Sequence, residues 1–138
     1  MSTASTPSIG DRFWRWFHSF GSPARFDRFA QSALPWFSWS AGILLFVGLG
    51  LALFYAPPDY QQGESVRIIY VHVPAAWMSL FTYVVMAVAG GITLIWRMKL
   101  ADAVARASAP LGASFTALAL ITGSLWGKPM WGTYWVWD

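Results

Sequence analysis

Charge is scarce in this chain. Charged residues make up only 11% of its 138 residues, against roughly 25% in a typical soluble domain. A soluble fold needs ionic side chains over its surface, so that class is excluded. Cysteine is absent, which excludes disulfides, thiolate metal sites and thiol relays. The few charges are also unevenly placed: none falls between Arg28 and Asp59, between Arg67 and Arg97, or between Arg106 and Lys128. Each gap can hold the roughly 20 apolar residues that a membrane-spanning helix needs.

What is present is apolar and aromatic, 57% and 18% of the chain, with ten tryptophans. The solvent this composition suits is the lipid bilayer. The fold class expected is an all-α integral membrane protein with about three transmembrane helices, near residues 35–55, 74–96 and 107–126. The net charge of +3 comes from Lys and Arg that flank these stretches and form no basic stripe, so nucleic acid is not an expected partner. A cleavable secretory signal does not fit, because the first apolar run is too long and lacks a small-residue cleavage site.

Along the chain, residues 1–10 read as a disordered start. Asp11 to Phe20 is amphipathic at helical spacing, with Phe13, Trp16, Phe17 and Phe20 able to share a face. It suits either a helix lying in the headgroup layer or an ordinary basic juxtamembrane segment. Residues 1–34 form an N-terminal segment and 35–138 the membrane domain. Span one runs from about Pro35 to Tyr55, flanked by Trp36, Trp39 and Tyr55 at the interfaces, and Ala56-Pro57-Pro58-Asp59 breaks it. Residues 56–73 are expected to form a loop, and Pro74 to be the first helical position of span two. Span three carries Ser108, Ala109, Gly112, Ala113, Ala117 and Gly123, small residues that let helix backbones approach closely.

Lys and Arg give the orientation. Arg12, Arg15, Arg25 and Arg28 precede span one, and Arg97, Lys99 and Arg106 follow span two. The positive-inside rule places these in the cytoplasm. The 56–73 loop and the 127–138 tail then share the outer face.

Chemistry concentrates on that face. Trp126, Trp131, Trp135 and Trp137 fall within twelve residues, more than an interfacial belt requires, and Gly127 and Gly132 let the backbone pass close to something flat. The pattern suits a platform for a large planar ligand, each aromatic pair adding roughly 0.5–1.5 kcal/mol beyond area burial. A dense aromatic girdle and a cage for a quaternary ammonium ligand are the alternatives. Lys128 and Asp138 add polar groups at the rim. His72 is the one histidine outside the N-terminal segment. A lone histidine there is commonly a hydrogen-bonded interfacial residue, but an imidazole facing an aromatic platform is also what a heme site requires. Arg67 suits either a propionate or a local pair with Glu64 or Asp59. No nucleophile–base pair, metal-ligand cluster or phosphate loop is legible, so an enzyme is not expected.

Trp131-Gly132-x-x-Trp135-x-Trp137-Asp138 resembles the Trp-Trp-Asp heme-handling family of cytochrome c biogenesis. Ala56 to Gly63 (APPDYQQG), Arg67 to Ala76 (RIIYVHVPAA) and Gly123 to Met130 (GSLWGKPM) narrow the resemblance to heme exporter protein C, from about residue 35 onward. The resemblance implies a six-span, non-enzymatic subunit of the bacterial inner membrane that holds non-covalent heme (heme b) at the periplasmic face. It implies that His72 is an axial ligand of the iron and that Trp126, Trp131, Gly132, Trp135, Trp137 and Asp138 belong to the heme platform. Implied partners are a periplasmic heme chaperone, the ATP-binding-cassette exporter subunits and a small membrane accessory subunit. Tyr134 stands where another tryptophan is expected. The chain is expected to be the N-terminal half, without the second axial histidine and the last three spans. A permease-like subunit with a mere tryptophan belt is the alternative function. The large ligation subunit, which joins heme to apocytochrome, fits less well, since more spans precede its motif.

Overall fold

The computed structural model describes residues 8–20 and 22–137. Four helices follow in order: α1 (Ile9–Phe20), α2 (Pro23–Gly50), α3 (Ile69–Trp96) and α4 (Lys99–Trp131). Among the described residues no β-strand forms. Three continuous helical segments, Pro23–Tyr55, Glu64–Trp96 and Lys99–Trp131, are long and apolar enough to cross a membrane. The all-α, three-span expectation holds.

The helices outrun the apolar stretches, because lipid solvation and helix propagation have different causes. Ser8 starts α1 two residues earlier than the amphipathic pattern does. Its hydroxyl accepts the Asp11 N–H at 3.2 Å while the Asp11 carboxylate accepts the Ser8 N–H at 3.0 Å, a reciprocal capping arrangement. The Phe13 and Trp16 rings lie 6.0 Å apart on that helix, as one shared face requires; the side chains of Phe17 and Phe20 lie outside the described residues. Pro23 opens α2 after the extended Ser22, and the helix continues through Pro35. Lys99 to Arg106, a basic segment of good helix formers, is the first part of α4, braced by Arg106 donating to Asp102 at 3.0 Å.

Span two also begins earlier than expected. Pro74 lies inside α3, which is preceded by a 3-10 helix, Glu64–Ile68. The punctuation that decides the boundary is Gly63, whose φ of 58° is open to glycine and strained for other residues. From Glu64 to Val73 nothing breaks a helix, and one proline removes only one backbone bond. His72 therefore stands on a helix and not in a loop.

At the other end of α3, Arg97 adopts a left-handed φ of 51° and its N–H caps Thr93 at 2.9 Å. Only Arg97 and Met98 separate α3 from α4, so the two helices pack antiparallel along their length. Ala75, Thr82 and Ala89 recur every seven residues as the buried positions of α3, one helix face. A Cβ at Gly112 would stand 3.2 Å from Thr82 Cγ2, and Ser79 bonds Thr116 at 2.7 Å across the seam. Small residues let the backbones close, and hydroxyls lock the register.

α2 packs little against this hairpin and has no buried residue of its own. Its last turn widens into a π-helix, Leu51–Tyr55, closed by Ala56 N–H on Leu51 at 2.8 Å, and the Pro57-Pro58 break follows as expected. Arg67 donates to the Leu53 carbonyl there and pairs with Glu64 at 2.7 Å. The Glu64 approach is close but poorly aligned for a hydrogen bond, so it counts as an ion pair. Arg67 is thus engaged locally, tying the 3-10 helix to the end of α2.

Candidate functional site

The turn before α3 and the tail after α4 lie at the same end of the helical hairpin, as does His72 on the first turn of α3. Its imidazole, half-buried on the first turn of α3, points at α4. Nδ1 lies 3.1 Å from the Ala119 carbonyl oxygen and 3.1 Å from Thr122 Oγ1. A carbonyl can only accept. The Thr122 hydroxyl proton is directed to the Leu118 carbonyl at 2.7 Å, so toward His72 that oxygen also offers a lone pair. Two acceptors on one nitrogen place a proton on Nδ1, and in the neutral ring this leaves the Nε2 lone pair for an acceptor or ligand role. Hydrogen bonding of the non-ligating nitrogen is the usual way a protein orients a ligating imidazole.

Gly123 makes room for the ring. A Cβ there would stand 3.0 Å from Cε1 and 3.4 Å from Nδ1 of His72, too close for an unperturbed contact. Trp126 stacks on the imidazole at 6.4 Å between centroids with 26° between planes. Trp126 in turn meets the edge of Trp131 at 5.4 Å, a favoured aromatic geometry.

An open cleft of about 680 Å³ lies beside these groups. His72, Gly123, Gly127, Trp131, Trp135 and Trp137 are among the residues that line it, and among the described residues no Asp, Glu, Lys or Arg does. Trp135 and Trp137 pack edge to face at 5.6 Å. The tail turns back over the cleft because Gly132 ends α4 with a φ of 78°, its N–H on Lys128 at 3.0 Å. Lys128 Nζ then donates to the Gly132 carbonyl at 2.9 Å and lies 5.2 Å over the Tyr134 ring.

The structure therefore brings His72, Trp131, Trp135 and Trp137 together around one cleft. Trp126 stands beside the imidazole and does not line the cleft, and Gly132 acts at the helix end. Asp138 lies outside the described residues. Several contributors carried no legible signal. Thr122 and the Ala119 carbonyl become partners of His72 only through the hairpin register. Gln62 accepts from the Trp126 indole at 3.0 Å; it belongs to the APPDYQQG stretch, but its residue type and spacing gave it no role.

The arrangement sets an imidazole in the wall of a wide, mostly apolar, ring-lined space. Among the described residues no three metal-binding side chains gather, so a bare ion would find too few ligands here. A planar macrocycle that carries its own equatorial donors needs only an axial ligand and apolar walls, and the residues present fit that need.

A family model described as heme exporter protein C matches residues 16–138. A heme exporter protein C of Bradyrhizobium diazoefficiens is 54% identical over 117 residues, covering 85% of this chain and 44% of the relative. Its counterpart in Escherichia coli K12 is 50% identical over 125 residues, covering 91% of this chain and 51% of the relative. A Marchantia polymorpha mitochondrial protein, named for cytochrome c biosynthesis, is 49% identical over 111 residues, 80% of this chain and 47% of its own length. The chain spans about half the length of the curated relatives it matches. With the match running from Trp16 through the whole hairpin and tail, the chain belongs to the heme exporter protein C family.

Proposed function

We propose that this chain is a heme-binding membrane subunit of cytochrome c biogenesis that holds non-covalent heme (heme b) at the periplasmic face and passes it to a periplasmic heme chaperone. The observation that carries the reading is the pair of acceptors on His72 Nδ1. In the neutral ring they hold the proton away from Nε2 and orient the imidazole, as an axial ligand requires. Heme would supply its own four equatorial nitrogens and an iron centre open to an axial base. Trp131, Trp135 and Trp137 would give apolar faces for its ring, and Gly132 and Asp138 the turn and rim of the same motif. Trp126 would act one layer back, on the imidazole.

The role is binding and hand-over, without bond chemistry. The partners that family membership favours are ATP-binding-cassette exporter subunits and a small membrane accessory subunit. Seven Lys and Arg residues lie in α1, in the first turns of α2 and around the α3–α4 turn, at positions 12, 15, 25, 28, 97, 99 and 106, which supports a cytoplasmic N-terminus and a multi-pass place in the bacterial inner membrane. The open cleft and the 92% exposure of Trp137 suit a ligand that is handed on. That exposure equally suits a permease-like subunit with an interfacial tryptophan belt.

Hemin titration of the full chain in lipid nanodiscs separates the two. The heme reading expects a Soret band from the bound pigment that His72→Ala weakens or shifts and that added imidazole restores. An identical band and heme content in His72→Ala would overturn the ligand role of His72, and a wild-type chain that gave no Soret band would leave the belt reading standing.

A further inference from the structure

The Trp126 indole is held from outside its own helix. Its N–H donates to Gln62 Oε1 at 3.0 Å, across 64 positions of sequence. Gln62 is not a free loop residue. Asp59 Oδ1 accepts the N–H groups of both Gln61 and Gln62 at 2.9 Å, and Asp59 and Gly63 exchange backbone bonds at 3.2 and 2.8 Å. With Gly63 at a φ of 58°, this five-residue turn is closed at both ends. The turn therefore sets where the Gln62 amide stands, and the amide sets the rotation of the indole.

That rotation matters because Trp126 touches two parts of the site. Its face stacks on His72, and it meets the edge of Trp131, a wall of the cleft. The Nδ1 bonds restrain the imidazole in its plane, but they do not prevent tilt about the Nδ1 axis. A neighbouring indole, 6.4 Å away between centroids and 26° from coplanar, limits that tilt. From these contacts we infer that Gln62, fixed by the Asp59 turn, is a positioning residue: it locks Trp126 beside the imidazole and so holds the orientation of the His72 ring in the wall of the cleft. The inference rests on the heme reading for its purpose and on the indole contact for its substance.

The test uses the full chain in lipid nanodiscs, labelled with ¹⁵N at tryptophan. Trp126→Phe identifies the Trp126 indole N–H resonance in the absence of heme. Gln62→Leu, which keeps the bulk and removes the acceptor, should shift that resonance upfield. Gln62→Glu, which keeps an acceptor oxygen, should restore it. Asp59→Ala should move the same resonance and Asp59→Asn, with its side-chain oxygen in place, should not. With hemin bound, Gln62→Leu should speed heme dissociation about two- to tenfold, the range of one neutral hydrogen bond, and Gln62→Glu should return it toward the wild-type rate. An unmoved Trp126 resonance in Gln62→Leu would overturn the inference, as would Leu and Glu variants that behave alike. A wild-type chain without a Soret band would fell the heme reading, while the indole resonance would still decide the contact.

Discussion

Gly123 and His72 face each other so closely across the α3–α4 seam that a single added methyl would stand 3.0 Å from the imidazole Cε1. The glycine is the space in which the ring lies. Small residues in α4 thus serve two ends, close packing at Gly112 and a berth for His72 at Gly123, nearer the tail.

Gly123→Ala should displace the imidazole by a few tenths of an ångström and weaken its Nδ1 bonds. Gly123→Val should do so more severely. Histidine ¹⁵N spectra report the loss of the Nδ1–H tautomer, and hemin titration reports the effect on binding. Two variants with wild-type spectra would show that the ring does not occupy this berth.

Thr122→Val removes one of the two Nδ1 acceptors and leaves the Ala119 carbonyl. The tautomer should persist, and heme should dissociate about two- to tenfold faster, as expected for one lost neutral hydrogen bond. Thr122→Ser should match wild type. Stopped-flow transfer of heme to excess apomyoglobin measures the rates; equal rates in Val and Ser variants would remove Thr122 from the account.

Arg67→Leu should free the Leu53 carbonyl and loosen the π-helical end of α2. Hydrogen exchange across residues 51–56 should accelerate roughly tenfold or more, the scale of a charge-assisted bond worth about 1.5–3 kcal/mol. Glu64→Gln removes only the partner on the exposed side, where an ion pair is worth little, and should leave that exchange nearly unchanged.

Single cysteines introduced into this cysteine-free chain read the topology directly. A membrane-impermeant maleimide applied outside the cell should label Tyr60→Cys and Val136→Cys and spare Ala103→Cys. Labels on opposite faces for positions 60 and 136 would separate the turn from the tail and remove the cleft.

Asp102 and Arg106 pair at 3.0 Å on an exposed face of α4. Arg106→Ala should change stability by about 0.5 kcal/mol or less, and Thr82→Leu, at a 7% exposed position under Gly112, by far more. Unfolding in a detergent–urea series ranks the two; a reversed order would contradict the seam described here.

The amino-acid sequence alone determined the solvent, the number of spans and the shared end of the loop and tail. Those properties come from local composition: uncharged stretches long enough for a bilayer, prolines at 57 and 58, and basic residues gathered between spans. The motif residues His72, Trp131, Trp135 and Trp137 were legible for the same reason. Only the tertiary structure decided that α3 starts before Pro74, that Nδ1 of His72 meets Ala119 and Thr122, and that Trp126 stands beside the imidazole on a hydrogen bond to Gln62. Hydropathy and spacing describe one segment at a time. Partners 47 to 64 positions apart follow from the register of two packed helices, which small residues such as Gly112 and Gly123 set by how closely they let the backbones approach.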